Sequence, residues 1–347
     1  MMNSKSAVLM NTGKPLKILN LQIPSLRSGQ VLVEISYSGL CHTQLHEIRG
    51  KRGVDHFLPH TLGHEGSGKV VKIGRGVKKV KPGDHVVLTW IKATGKDVPS
   101  TQYESTIGKI NSGAISTFME KTVVSENRLI KIPKKMPLRE AALLGCAVPT
   151  GAGIVRNTAN LKTKDSIAVF GLGGIGMSIV LASKMIGAQT IIGIDIENKK
   201  LTRAIEIGAS DVINAKKKKV LEEIQKITNK LGVDFSVEAI GNSKTMEDAF
   251  SSVKTNGGLC ILAGNLPFGQ KISIDPFDLI KGKNIVGTWG GETSPEKDTK
   301  FYIKKFFSGE MDLDKLITHE YKLEKINEGF ADLENGKVGR ALIKMEK

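Results

Sequence analysis

The stretch Ser166-Ile167-Ala168-Val169-Phe170-Gly171-Leu172-Gly173-Gly174-Ile175-Gly176 decides the fold. Its first five residues read as a short apolar strand, its last six are G-x-G-x-x-G, and a helix-like run follows to Ile186. The glycine pattern alone is a weak signal. A strand before it and a helix after it are the context it requires. Gly171 allows a tight turn, Gly173 lets the backbone approach a pyrophosphate, and Gly176 permits close helix–strand packing. The helix that opens at Gly174 and Ile175 then offers free N–H groups and positive potential to the phosphates.

Working outward, strands and helices alternate. Strands are expected at Thr190–Ile194, Asp211–Ile213, Asp234–Ala239, Gly258–Ala263 and Asn284–Thr288, with helices at Glu197–Ile207, Val220–Lys230 and Ser243–Val253 between them. That order predicts an α/β unit, a doubly wound parallel sheet of the Rossmann type. Asp195 ends the second strand, 19 residues beyond Gly176. An acid there accepts hydrogen bonds from an adenosine ribose and repels a 2′-phosphate, so NAD is favoured over NADP. Lys200 either touches the same ribose or is a solvated helix lysine. The first ~150 residues are instead β-rich: Val31–Ile35, Gly68–Ile73 and His85–Thr89 read as strands, with Pro82-Gly83-Asp84 as a turn. Ile91–Gly113 is polar and glycine-punctuated and reads as a long loop or small lobe. The tail shows helical stretches near Thr299–Ser308 and Leu323–Asn335 and a last strand at Arg340–Lys344.

At 347 residues the chain exceeds the ~250–300 that one core usually serves, so two domains are expected. Composition is that of an ordinary globular protein, with 40% hydrophobic and 25% charged residues. No apolar run approaches membrane-helix length and no signal-peptide core is visible, so no membrane association is expected. Three cysteines make no disulfide framework and fit a reducing, cytoplasmic location. The net charge of +16 comes mainly from lysines spread along the chain; only nine basic residues are Arg. This reads as a solvated surface, not a nucleic-acid site.

Two further segments carry chemistry. Cys41-His42-Thr43 follows a strand, Gly63-His64-Glu65-Gly66 lies downstream, and Cys146 sits in Gly145-Cys146-Ala147-Val148-Pro149-Thr150-Gly151. Two thiolates and an imidazole make a three-ligand zinc site with the fourth position open, which is the catalytic arrangement. Sequence spacing cannot assemble residues this far apart, and each cysteine taken alone reads as a buried inert thiol.

The segment Gly63–Val77 matches G-H-E-x2-G-x5-G-x2-V in full, at Gly63, His64, Glu65, Gly68, Gly74 and Val77. With Cys41-His42-Thr43 before it and the Cys146 and glycine-rich segments after it, nearly the whole chain resembles the zinc-containing medium-chain alcohol dehydrogenases. The resemblance implies a GroES-like β catalytic domain over 1–150, a Rossmann NAD-binding domain over 151–289, and a C-terminal segment, 290–347, returning to the catalytic part. It implies Cys41, His64 and Cys146 as ligands of one catalytic zinc. Glu65 is then the carboxylate near the metal, Thr43 the hydroxyl on the alcohol, and His46 the relay histidine, unless His46 is a plain surface residue. His42 and Arg340 fall at contacts to the cofactor pyrophosphate, and Thr150 packs on the nicotinamide. Trp90 falls at an aromatic wall of the substrate pocket, or is a core tryptophan.

The chain departs from the pattern twice. Gln44 stands where many relatives carry an Asp supporting the ligand histidine. Ile91–Gly113 lacks the four cysteines of a structural zinc lobe, so one zinc per chain is expected. Cys260 is expected in the core. The implied activity is reversible hydride transfer between a small alcohol or carbonyl compound and NAD, by a homo-oligomer, dimer or tetramer, pairing near Asn284–Thr288. The competing readings are a zinc-free quinone or enoyl reductase of the same superfamily and a non-catalytic protein that retains the fold. Cys41, His64, Cys146 and Asp195 speak against the reductase. The substrate is not legible, although Cys146 in place of a Glu weakly disfavours polyols.

Overall fold

The computed structural model describes residues 2–346. The chain divides into two compact units. The first comprises Met1–Cys146, Ser294–Lys304 and Ile317–Lys347; the second comprises Ala147–Thr293 and Lys305–Leu316.

The first unit is built from two β-layers. Asn3–Leu9, Lys17–Gln22, Gln102–Ser105, Gly108–Asn111 and His60–Thr61 close a small barrel. A seven-stranded sheet runs Leu129–Ile132, His85–Thr89, Glu65–Ile73, Gln30–Gly39, Ala341–Lys344 and His319–Lys322, with Lys121–Ser125 also paired to Gln30–Gly39. The ten-residue strand Gln30–Gly39 shows why its sequence carries three apolar residues in a row, Val31-Leu32-Val33. Val31, Val33 and Ile35 join one core with Val86, Leu88 and Ile343, whereas Leu32 points the other way into a second core with Tyr103, Ile110 and Met119. Alternation places successive side chains on opposite faces, and here both faces are covered.

The second unit holds six parallel strands in the order Asp211–Asn214, Thr190–Asp195, Ser166–Phe170, Phe235–Glu238, Leu259–Leu262, Asn284–Gly287. Numbered along the chain this is 3-2-1-4-5-6, the doubly wound dinucleotide-binding order, whose switch point lies beside Ser166–Phe170. Ala168, Phe170, Ile192, Ile194 and Cys260 pack into its core. Burial pushes the Cys260 thiol up to about 12, so it is inert.

Some expectations need correction. Ile91–Gly113 is not simply loop, because Gln102–Ser105 and Gly108–Asn111 pair as a hairpin inside the barrel. Buried Tyr103 and Ile110 anchor it among polar residues that masked the alternation. The tail helix starts earlier than expected, at Pro295, and ends at Phe307; proline suits a first turn because its missing N–H costs nothing there. The strand His319–Lys322 and the seven-residue helix His42–Ile48 were not anticipated. The first has no apolar face, and the second is too short to show a period.

Candidate metal and dinucleotide sites

Three different local structures deliver the three ligand candidates. Gln30–Gly39 ends and the chain turns at Leu40 into Cys41, the extended N-cap of the helix His42–Ile48. His64 follows Gly63, whose φ of +100° is in the left-handed region. A Cβ at Gly63 would lie 2.6 Å from Phe118 N and 2.7 Å from Thr117 N, so only glycine fits. Cys146 terminates the 3-10 turn Ala142–Gly145. The donor atoms of Cys41, His64 and Cys146 all lie within 4.8 Å of one another.

The chemistry of this trio fits a divalent ion. His64 Nε2 is buried and has no hydrogen-bond partner. A buried ring nitrogen left so is costly unless something else takes its lone pair. The neighbouring Cys146 sulfur, with the charges of His64 and Arg340, holds the Cys41 thiol well below its ordinary value against the cost of burial. A thiol disposed to ionise is what a zinc ligand requires.

Glu65 and Arg340 lie beside the trio as a buried ion pair. Arg340 also donates through Nη1 to Leu40 O at 2.7 Å. Burial lowers its pKa, while the nearby Cys41 opposes that shift. The residue expected to meet a pyrophosphate is therefore held inside the first unit with its charge already paired. Gly39 makes the pair possible, because an added Cβ would collide with Glu65 Oε1 and lie 2.6 Å from Arg340 Nη2.

Gln44 is also buried. In the amide orientation its neighbours require, its oxygen accepts from Gly63 N and His64 N, each at 3.0 Å. It supports the candidate ligand His64 by its backbone. Ser38 Oγ and Thr117 Oγ1 both donate to Glu65 O, at 3.1 and 3.0 Å. Sequence reasoning missed both, since nothing distinguishes them from other strand hydroxyl residues. Thr43 and His46, three apart on the helix His42–Ile48, share a face. Burial, then the charge of Lys51, keeps the pKa of His46 below its ordinary value. His42 is exposed at the start of that helix. Trp90 is partly buried against the core.

The glycine motif occupies the expected turn in the second unit. Gly171 has φ +94°, and an added Cβ at Gly176 would collide with Gly171 O. At Gly173 an added Cβ would meet nothing within 4 Å. Gly173 is also the N-cap of Gly174–Ile186 and offers that helix no side chain. An open cradle ahead of an uncapped helix N-terminus fits a phosphate. Asp195 Oδ2 accepts from Leu172 N at 2.9 Å, and its Oδ1 accepts from Ile196 N and Glu197 N at 2.8 and 3.0 Å. Lys200 Nζ stands 3.6 Å from Asp195 Oδ2. Asp195 thus braces the glycine turn as well as standing at the end of its strand. Thr150 is buried with its hydroxyl unpartnered.

Comparison with known proteins places this geometry. The alcohol dehydrogenase GroES-like domain family matches residues 27–134, and the zinc-binding dehydrogenase family matches residues 174–306. An S-(hydroxymethyl)glutathione dehydrogenase of Photobacterium damsela subsp. piscicida is 35% identical, over 99% of this chain and all of its own length. Its counterpart from an Escherichia coli O6:H1 strain is 34% identical over the same shares. Among solved structures, an alcohol dehydrogenase zinc-binding domain protein from Burkholderia ambifaria superposes with TM-score 0.92 at 32% identity, covering both chains fully. Benzyl alcohol dehydrogenase from Acinetobacter calcoaceticus does so with TM-score 0.90 at 28% identity, again covering both chains fully. The match over the whole length, with the ligand trio and the glycine turn in place, shows that this chain belongs to the zinc-binding alcohol dehydrogenase family.

Proposed function

We propose that the protein oxidises a small alcohol to an aldehyde or ketone with NAD, reversibly, using one zinc held by Cys41, His64 and Cys146. The convergence of these three donors carries the reading. Two sulfurs and one imidazole with a fourth position left for substrate is the set found at the catalytic zinc of alcohol dehydrogenase itself. When bound, zinc supplies Lewis acidity that makes the substrate hydroxyl easier to deprotonate, and NAD supplies the hydride acceptor.

The protein's own residues do the rest. Thr43 takes the hydroxyl proton into a hydrogen bond, and His46 is the histidine that hands the proton on to solvent. Burial, then the charge of Lys51, lowers the pKa of His46, which favours the neutral ring that a proton acceptor needs. Arg340, held by Glu65, supplies positive charge beside Cys41. Gly171, Gly173, Gly174, Ile175 and Gly176 hold the pyrophosphate at the helix N-terminus, and Asp195, with Lys200, holds the adenosine ribose. By the family resemblance His42 serves the pyrophosphate side and Thr150 the nicotinamide. The Asp195 charge selects NAD over NADP.

The names of the relatives suggest a substrate range of primary alcohols, from benzyl-type alcohols to hydroxymethyl thioethers. We take the protein to be a cytoplasmic homo-oligomer. Asn284–Gly287 is an edge strand, and Phe277, Ile280, Val286 and Trp289 around it are exposed. An apolar sheet edge of this kind suits pairing with a second copy. Among the described residues no single helix is long and apolar enough to cross a membrane. The test is turnover of an alcohol panel with NAD and with NADP, before and after chelation. NAD-dependent, chelator-sensitive oxidation supports the proposal; oxidation that survives chelation, or that runs with NADP and not NAD, overturns it.

A further inference from the structure

Glu238 is not among the residues assigned above, and its surroundings are unusual. It ends the strand Phe235–Glu238, the neighbour of the strand that leads into the glycine turn. Its side chain is fully buried. Oε1 accepts from Ile240 N at 3.1 Å, Gly241 N at 2.9 Å and Thr245 Oγ1 at 2.7 Å. One oxygen thus gathers a turn in which Gly241 is left-handed, at φ +88°, and in which Asn242 caps the helix Ser243–Ser252. The other oxygen, Oε2, is buried without a hydrogen-bond partner against Gly264, where an added Cβ would collide with it. Burial raises the pKa of this carboxyl group.

A buried acid with one oxygen unsatisfied destabilises the fold relative to an apolar strand end. What it holds suggests why it is there. Ala239 N donates to Phe170 O at 2.9 Å, which ties the gathered turn to the residue before Gly171. An added Cβ at Gly171 would collide with Ile240 Cγ1 and lie 3.3 Å from Ala239 C. Ile240 therefore forms one wall of the glycine turn. On the opposite side Asp195 reaches the same turn through Leu172 N. An acid on each flanking strand braces the loop from its own side.

We propose that Glu238 is a positioning residue for the dinucleotide: by gathering the backbone of 240–241 and the Thr245 hydroxyl onto one oxygen, it holds Ile240 against Gly171. It thereby fixes the turn whose N–H groups meet the pyrophosphate. The inference rests on the NAD reading above.

The test is NADH binding by fluorescence titration of the zinc-loaded protein, for the parent and for E238A, E238Q and T245V. Melting temperatures and the KM for NAD are measured alongside. E238A removes all three bonds to Oε1 and is expected to weaken NADH binding roughly tenfold or more. Its KM for NAD should rise by more than kcat falls. E238Q keeps an acceptor oxygen and should restore most of the affinity. T245V loses one donor and should fall between E238Q and E238A; should E238A fail to fold, weakened NADH binding by T245V against near-parental binding by E238Q carries the same meaning. Unchanged NADH affinity in a folded E238A, or in T245V if E238A does not fold, overturns the inference. So does a loss that follows melting temperature and is not rescued by E238Q. If the parent itself fails to bind NADH, the NAD reading falls and the inference with it; a parent that binds beside an unaffected E238A sinks the inference alone.

Discussion

Gly39 and Gln44 show how the metal trio depends on residues that carry no metal chemistry. Gly39 leaves room for the Glu65–Arg340 pair, and its replacement would push backbone-sized bulk into that pair. G39A should lower stability by about 1–3 kcal/mol, as overpacking of a filled core does, and should lower zinc retention. Chemical denaturation and metal analysis of the purified variant check both. Gln44 holds the backbone of Gly63 and His64 through two N–H groups. Q44A should weaken zinc binding by roughly 10–100-fold, the usual cost of removing a group that orients a ligand. Chelator competition measures it; unchanged affinity would mean that Gly63 and its left-handed turn alone position His64. At this scale the sequence was informative wherever chemistry restricts residue type. The glycines and Asp195 could be put forward from the residues themselves, and the candidate ligands Cys41, His64 and Cys146 through the family resemblance. Ser38, Thr117 and Glu238 could not, because strand-borne Ser, Thr and Glu have many uses and their partners are set only by packing. Arg340 could be named, but nothing in its neighbours along the chain pointed to Glu65.

Among the elements, the polar segment after Trp90 is held by carboxylates. Glu126 accepts from Lys78 N, Lys79 N and Lys96 N at 2.6, 2.7 and 3.1 Å. Glu296 accepts from Lys79 Nζ, Thr94 N and Thr94 Oγ1 at 2.5, 2.9 and 2.7 Å. Against the cost of burial, these bonds hold the Glu296 carboxyl down to about 2, from an ordinary 4.5. A depressed carboxylate pKa stabilises the fold above the ordinary value, and that stability is lost as pH falls through the folded value. E296Q should therefore cost about 1 kcal/mol at pH 7, solvent screening included, and the difference from the parent should shrink below pH 4.5 and vanish only below about pH 2. Urea unfolding across that range reads it; a pH-independent difference would contradict the assignment. The parallel strands were legible because they are buried on both faces and flanked by periodic helices. The hairpin at 102–111 was not, since only Tyr103 and Ile110 turn inward among polar neighbours.

For the whole molecule, the alternation after Lys162 was enough to foresee a doubly wound parallel sheet, but not its strand order, 3-2-1-4-5-6, which the structure supplies. The return of the chain's end to the first unit, where Ala341–Lys344 pairs with Gln30–Gly39, followed only from family resemblance. No local pattern encodes a strand pairing across 300 residues of chain. The proposed self-association at the edge strand has a direct check. I280E should convert the oligomer to monomer in sedimentation without unfolding it, because Ile280 is 78% exposed and supports no core; an unchanged sedimentation coefficient would place the contact elsewhere. The central claim is that Cys41, His64 and Cys146 share one ion. It is tested most directly by metal analysis of the purified protein beside C146A, with NAD reduction followed on the same samples. The account predicts one zinc per chain in the parent, and loss of both metal and turnover in C146A. A parent that turns over alcohol without zinc, or a C146A that keeps its full complement of zinc, would contradict it.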